Sequence, residues 1–105
     1  MKDATVTTEL VSVYRALASR QRLKILSLLA KRPLCVNAIA RSLKISQPAV
    51  SQHLEVLRGA QLVVGDRSGV MVHYRMDRER LQAVRDLTAF LLRESKETAQ
   101  PGQGG

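Results

Sequence analysis

The stretch from Ile45 to Leu57 constrains the fold most, because it predicts one helix with two different faces. Ser46 fits the N-cap of this helix, and Pro48 falls in the first turn, where its missing N–H costs little. Apolar residues recur along the stretch at helical spacing and predict a buried stripe: Val50, Leu54 and Leu57. The positions off this stripe carry uncharged hydrogen-bonding side chains: Gln47, Ser51 and Gln52.

This neutral outer face is unusual for plain solvent exposure, where Lys and Glu are the expected helix residues. Glutamine can pair with adenine in the major groove, and serine adapts to several base edges. The face therefore favours the reading of DNA bases. Surface hydrogen bonding or helix packing is the alternative for both Gln52 and His53. For His53 this alternative is about as good as base reading, because the residue adjoins the apolar Leu54.

Charge is distributed unevenly along the chain, whose net charge is +8. The segment from Leu10 to Leu54 contains no acidic residue, and its basic residues are Arg15, Arg20, Arg22, Lys24, Lys31, Arg32, Arg41 and Lys44. A segment of one sign favours a polyanion-binding face over a generic solvated surface. Binding to a membrane surface is disfavoured, because no segment combines a basic face with a Trp- or Phe-rich one.

The chain has 105 residues, enough for one domain and too few for two. No apolar run approaches the roughly 18 residues of a membrane span, and the N-terminus lacks a signal-peptide pattern. A single cysteine, Cys35, gives no disulfide framework. These features predict a cytoplasmic protein without a membrane segment.

Helical spacing also appears earlier in the chain. Residues 1–8 are polar and rich in Thr, which predicts a flexible N-terminus before an amphipathic helix from Leu10 to Leu17. Ser19 can cap a second helix, and Pro33 either ends that helix or begins the next connection. A third, short helix is expected from Leu34 to Leu43.

A three-residue turn, Lys44 to Ser46, then leads into the helix that Ser46 caps. Two short helices joined by so tight a turn predict a helix-turn-helix. Gly59 is expected to stop the fourth helix. Next come two β-rich runs, Leu62–Val64 and Val70–Tyr74, separated by the turn-forming residues Gly65–Gly69, which predict a hairpin, or wing.

The pattern becomes helical again from Asp77. The expected fold is therefore mainly α with a small β-hairpin, a dimeric winged helix-turn-helix of order α-α-α-α-β-β-α. Residues 9–95 are expected to form one DNA-binding and dimerisation domain. Residues 96–105 have nothing to bury and predict a disordered tail.

Several runs in this order resemble the ArsR/SmtB family of bacterial repressors: Leu17-Ala18-Ser19, Arg22–Leu26, Ser46–Leu54 with Leu57, and Leu62-Val63 through Tyr74-Arg75. The similarity covers roughly residues 10–92, and the run around Ser46 is its most specific part. The resemblance implies a dimeric winged-helix repressor that binds operator DNA and releases it on meeting an effector.

The resemblance also places the recognition helix at Ser46 and a wing residue at Arg67. Arg67 is expected at the hairpin tip, where it would meet phosphate or the minor groove. The predicted DNA-binding residues are Ser46, Gln47, Pro48, Ser51, Gln52, His53, Arg58, Arg67, Arg41 and Lys44.

Two copies on half-sites about one DNA turn apart would double the phosphate contacts and add sequence information. The first and last helices have apolar stripes that a DNA-binding core does not obviously need. The predicted interface between the two copies consists of Leu10, Val13, Tyr14, Leu17, Leu81, Val84, Leu87 and Leu91. Packing within one chain is the alternative for the same residues, and both can hold together.

The chain departs from the best-known members of the family at the expected sensing sites. Arsenic- and lead-type sensors begin the third helix with Cys-Val-Cys, whereas this chain has Cys35-Val36-Asn37. One thiol per chain cannot supply the three thiolates that trivalent arsenic requires. Other members bind zinc on the last helix through acidic residues and His, but residues 77–105 contain no His. No metal site and no cofactor is predicted, and the effector is unknown.

Three interpretations of Cys35 remain open. It is a small buried apolar residue, or a thiol activated by Lys31 and Arg32 near a helix N-terminus. The third is an atypical metal site, built from two thiolates across a dimer or from other ligands.

Two other classes of protein are alternatives to a DNA-binding regulator. An enzyme is disfavoured, because the chain has no carboxylate pair near a His, no Gly-rich phosphate loop and no nucleophile–base constellation. A winged-helix module that binds proteins rather than DNA is the stronger rival. Such a module would need neither the neutral face of the fourth helix nor an acid-free basic half.

Overall fold

The structure, a computed structural model, describes the backbone of residues 2–98 and the side chains of residues 5–93. The elements described follow the predicted order, with the bounds α1 (Lys2–Leu17), α2 (Arg20–Leu29), α3 (Val36–Leu43), α4 (Gln47–Gly59), β1 (Val63–Ser68), β2 (Met71–Met76) and α5 (Arg78–Thr98). None of the described helices is long and apolar enough to span a lipid bilayer. Helix α5 includes the first residues of the predicted tail, and residues 99–105 lie outside the described part.

The first helix begins earlier than the sequence analysis predicts. Residues 2–8 belong to α1, so this helix begins before Leu10. The reason is that Val6 extends the apolar stripe one turn before Leu10 and packs, partly buried, against the core. Leu10 and Val13 continue the stripe and are 6% and 0% exposed.

Helix α2 begins where the sequence predicts. Ser19 has an extended backbone, and its hydroxyl accepts a hydrogen bond from the N–H of Arg22 at 3.2 Å. Ile25 and Leu29 are buried against the neighbouring helices, whereas Leu23 is half exposed and lies outside the core. Helix α2 therefore contributes one narrow apolar stripe to the core and is not buried on all sides.

The third helix begins at Val36 and not at Leu34, because Leu34 takes part in a short β-bridge. Its N–H donates to the carbonyl of Tyr74 at 3.0 Å, and the N–H of Tyr74 donates to the carbonyl of Leu34 at 2.8 Å. This pair joins the segment before α3 directly to β2 of the hairpin. Leu34 and Tyr74 are some forty positions apart in the chain, so no local sequence pattern predicts this contact.

The end of α4 also differs from the prediction. Gly59 is the last residue of the helix, and Gln61, with φ of 63°, takes the left-handed conformation expected of the stopping residue. The N–H of Leu62 donates to the carbonyl of Leu57 at 2.9 Å, which closes the helix end. The stop lies two positions later than predicted because Leu62 is fully buried and fixes the path of the chain.

The hairpin is longer than predicted and its turn is shorter. Residues 65–68, expected in the turn, belong to β1, which pairs with β2 from Val63 opposite Met76 to Ser68 opposite Met71. Only Gly69 and Val70 remain as the turn, with a positive φ of 64° at Gly69. This two-residue turn with glycine first is a common hairpin connection, whose twist matches that of the strands.

The core lies between the helices and the base of the hairpin. Its largest fully buried side chains are Ile25, Ile39, Leu54, Leu57, Leu62, Val13, Val50 and Val63. Arg80 ties α5 to the rest, since its guanidinium contacts the carboxylate of Glu9 at 2.7 Å and the carbonyl of Ala60 at 3.3 Å. The Tyr14 and Thr88 hydroxyls form a second link between α1 and α5.

Candidate DNA-binding surface

Helix α4 has the two faces that its sequence predicts. The Ser46 hydroxyl accepts a hydrogen bond from the N–H of Ala49 at 3.2 Å and fixes the start of the helix, with Pro48 in the first turn. Three apolar side chains are buried: Val50, Leu54 and Leu57. Three neutral polar side chains are exposed: Gln47, Ser51 and Gln52. The exposed set lies on one helix, an element of the width that a major groove admits.

Two exposed basic side chains precede α4. Arg41 lies in the last turn of α3, and Lys44 caps that helix in the left-handed conformation, with φ of 59°. Neither forms an ion pair with a described residue. Their charges lie near the N-terminal end of α4, where the helix dipole adds to the positive potential.

Arg58 lies at the other end of α4. A rise of about 1.5 Å per residue puts it about 16 Å from Gln47 along the helix axis. It pairs with Glu55 at 2.7 Å, and this hydrogen-bonded carboxylate raises the pKa of Arg58. Arg58 lines a surface cleft with Gly65 at the base of the hairpin. The structure therefore groups Arg58 with the wing and not with the polar residues at the start of α4.

His53 occupies a different environment from its neighbours on α4. It is half-buried, and its Nδ1 lies 3.4 Å from Nη1 of Arg22 on α2. The packing role that the sequence left open is therefore present. The sequence analysis does not connect Arg22 with His53, because no local pattern links positions 22 and 53.

The wing presents both charged and apolar groups. Arg67 is exposed in β1 opposite Val72, so it lies beside the turn and not in it. Asp66 forms an ion pair with Arg75 across the two strands at 2.7 Å. Val70, in the turn itself, is 93% exposed, a feature that the sequence analysis did not single out.

Comparison with known proteins identifies the family. The family model of bacterial regulatory proteins of the arsR family matches residues 19–64, which include α2, α3 and α4. The HTH-type transcriptional regulator Rv2034 of Mycobacterium tuberculosis is 44% identical over 81 residues, covering 76% of this chain and 76% of that protein. This chain belongs to the ArsR family. It is a DNA-binding transcriptional regulator, and the prediction that it is not an enzyme is confirmed by the family.

Solved structures agree with this assignment. An ArsR-like transcriptional regulator from Rhodococcus sp. RHA1 has a TM-score of 0.78 and 28% identity, over 89% of each chain. The homodimeric winged helix-turn-helix DNA-binding domain Mb0332 of Mycobacterium bovis has a TM-score of 0.72 and 26% identity, over 93% of this chain and 89% of that one. The predicted winged helix-turn-helix is confirmed. Several other curated relatives are matched over less than two thirds of their own length.

The structure divides the predicted dimer residues of this ArsR-family protein into two groups. Leu10, Val13 and Val84 are buried inside the single chain, so the prediction is corrected for them, because they have almost no surface left for a partner. Three more are half-buried: Leu17, Leu81 and Leu87. The remaining two, Tyr14 and Leu91, are 45% and 47% exposed.

Cys35 lies between the helix-turn-helix and the wing. It is half-buried at the N-cap position of α3 and makes no side-chain capping bond. It lines a cavity of about 210 Å³ with the wing residues Val70 and Tyr74. The described part of the chain holds no group of three or more His, Cys, Asp or Glu side chains that could bind a metal ion.

Proposed function

We propose that this ArsR-family protein is a repressor that binds operator DNA as a homodimer, with α4 of each protomer in the major groove. The observation that carries the proposal is the exposed, uncharged face of α4, which adjoins two exposed basic residues at the end of α3. Neutral amides and hydroxyls read base edges, whereas the basic residues contact phosphates.

Six of the ten predicted DNA-binding residues have a defined role in this proposal. Gln52 and Gln47 read bases, and Gln52 pairs with adenine. Arg41, Lys44 and Arg67 contact phosphates and position the protein without reading sequence. Arg58 contributes at the base of the wing once its pairing with Glu55 is exchanged for a phosphate.

The homodimer forms through α1 and α5. The support is an apolar surface on these two helices that the single chain leaves uncovered: Tyr14, Phe90, Leu91 and Leu92 are each more than 40% exposed. The Mycobacterium bovis domain of the same fold is homodimeric, which supports a homodimer here. Two copies then present two α4 helices to half-sites about one DNA turn apart.

Release of the operator by an effector belongs to the same proposal, and thiol chemistry at Cys35 is one route to it. Cys35→Ser is expected to leave DNA binding intact, because Cys35 lies at the start of α3 and lines a cavity that contains no residue of α4. A Cys35→Ser variant that still leaves DNA on treatment with oxidants or arsenite would make the thiol structural. A protein that binds chromosomal DNA works in the cytoplasm, which is where we place this one.

The experiment titrates the protein with duplex DNA from upstream of its own gene and with random duplex of equal length. Both titrations are run at about 50 and 200 mM salt, a range over which phosphate contacts lose much of their free energy. The proposal predicts selectivity for the upstream duplex and a steep fall in affinity with salt. Equal affinity for the two duplexes at the higher salt would contradict it and favour a protein-binding module.

A further inference from the structure

His53 differs from the other polar residues of α4 because one of its ring nitrogens already has a protein partner. Nη1 of Arg22 lies 3.4 Å from Nδ1 of His53, across the contact between α2 and α4. The ring is half-buried, whereas Ser51 and Gln52 are exposed. The contact with Arg22 and the partial burial therefore restrict the orientation of this imidazole.

Arg22 is itself held in place by the end of α1. Its Nε donates to the carbonyl of Ala16 at 2.5 Å, and its Nη2 donates to the carbonyl of Arg15 at 3.2 Å. Carbonyls in the last turn of a helix lack intrahelical partners, and a cationic side chain is favoured there. The backbone N–H of Arg22 is also bonded, to the hydroxyl of Ser19. The direction of the third guanidinium nitrogen is thus set by α1 and α2, and not by the imidazole.

This arrangement determines which nitrogen of His53 carries the proton. A guanidinium nitrogen can only donate a hydrogen bond, so the Nδ1 that faces it must accept and has no proton. The neutral imidazole then carries its proton on Nε2. The opposite tautomer would place an Nδ1–H against the Nη1–H of Arg22, two donors facing each other.

The second nitrogen of His53 is not fully buried. Nε2 makes no hydrogen bond with a described residue. Among the described residues, the only buried side-chain nitrogen or oxygen that lacks a partner is Oε1 of Gln21, so Nε2 of His53 is not such a buried atom. The Nε2–H is therefore an accessible donor on α4, next in sequence to Gln52.

We propose that Arg22 is a positioning residue for DNA recognition, which fixes His53 as the Nε2–H tautomer and makes it a single oriented donor on α4. Such a donor suits an acceptor on DNA, that is, O6 or N7 of guanine, N7 of adenine, O4 of thymine or a phosphate oxygen, and does not suit the amino groups of adenine or cytosine. The DNA part of this inference rests on the proposed function, whereas the tautomer does not.

The tautomer is tested on the free protein by nitrogen-15 NMR of the imidazole. The chain has two histidines, so His73→Gln leaves His53 as the only signal. At pH 8.5, above the range in which histidines usually titrate, one tautomer with protonated Nε2 is expected. Protonated Nδ1, or the mixture shown by an unconstrained imidazole, would overturn the proposal.

The Arg22→Lys variant separates the role of Arg22 in orienting His53 from its role in the stability of the fold. Lysine keeps the charge, but a single nitrogen cannot serve two carbonyls and the ring together. Circular dichroism checks that this variant is folded, and a shift from one tautomer to a mixture is expected. An unchanged tautomer in the folded Arg22→Lys variant would overturn the role of Arg22. If the Arg22→Lys variant does not fold, the nitrogen-15 NMR measurement on the protein with native Arg22 tests the proposed tautomer.

Two variants of His53 test the donor in DNA binding. His53→Asn puts an amide oxygen at the position of Nδ1 and keeps the Arg22 contact without the outer donor. His53→Gln reaches the position of Nε2 and keeps a donor there. The Asn variant is expected to lose about three- to tenfold in affinity, the value of one hydrogen bond, and to bind more weakly than the Gln variant. The reverse order would contradict the donor role. A protein with native His53 that binds no duplex selectively would refute the proposed function and leave the tautomer result standing.

Discussion

Gln61 holds a left-handed backbone conformation, with φ of 63°, that glycine adopts more readily than any other residue. It ends α4 at the position where glycine is most common. Gln61→Gly is therefore expected to raise the free energy of unfolding by up to about 1 kcal/mol, because relief of backbone strain exceeds the added entropy of the unfolded chain. Urea unfolding monitored by circular dichroism measures it.

The same substitution at Gln82 is the matched control, because Gln82 is exposed inside the regular helix α5. Gln82→Gly is expected to lower the free energy of unfolding by about 1 kcal/mol. A loss of similar size at both positions would show that Gln61 is not strained.

At the residue scale, the sequence predicts the contacts between residues that are close together in the chain. Ser19 and Ser46 are both capping residues, as expected, since each hydroxyl bonds an N–H three positions ahead. The contact of Arg22 with His53 joins residues 31 positions apart and has no sequence signature.

The wing shows the same limit at the scale of elements. Its existence follows from alternating apolar residues, but its length does not, because residues 65–68 look like a turn and pair as a strand. The pairing depends on the partner strand, where Tyr74 also bonds Leu34. The predicted start of α3 at Leu34 is wrong for the same reason.

The turn of the wing gives a prediction at this scale. Gly69 has a φ of 64° with open space around it, so Gly69→Ala costs only backbone strain, about 1 kcal/mol. Because the strain falls on the turn that joins the two strands of this sheet, amide hydrogen exchange should accelerate more in β1 and β2 than in α2.

Gly59→Ala is the control for the wing substitution. Gly59 lies in α4 with nothing within 4 Å of an added Cβ, so alanine there should stabilise the protein by about 0.5–1 kcal/mol. Unchanged exchange in the hairpin of the Gly69→Ala variant would mean that the turn tolerates a side chain and that the strain is overestimated.

At the scale of the whole molecule, the sequence identifies an apolar stripe on α1 and α5 but not the surface that covers it. An apolar stripe has the same helical spacing whether it packs within its own chain or against a partner chain. Leu10, Val13 and Val84 therefore fall into one predicted set with Tyr14 and Leu91, and only the packed fold separates them.

The exposed part of that stripe gives a prediction about assembly. Leu91→Glu is expected to convert the dimer to a monomer without unfolding it, because a carboxylate buried in an apolar interface has no partner there. Sedimentation velocity measures the change. Leu23→Glu is the control, since Leu23 is similarly exposed, at 51%, on α2. A Leu91→Glu variant that remains dimeric would place the interface elsewhere.

Two single variants separate sequence reading by α4 from uniform affinity supplied by the wing. The affinities of the Gln52→Ala and Arg67→Ala variants are compared on the upstream duplex and on random duplex at one salt concentration. Gln52→Ala is expected to lose about 1–3 kcal/mol of discrimination between the two duplexes, whereas Arg67→Ala should weaken binding to both alike. Unchanged discrimination in the Gln52→Ala variant, or altered base preference in the Arg67→Ala variant, would contradict this separation.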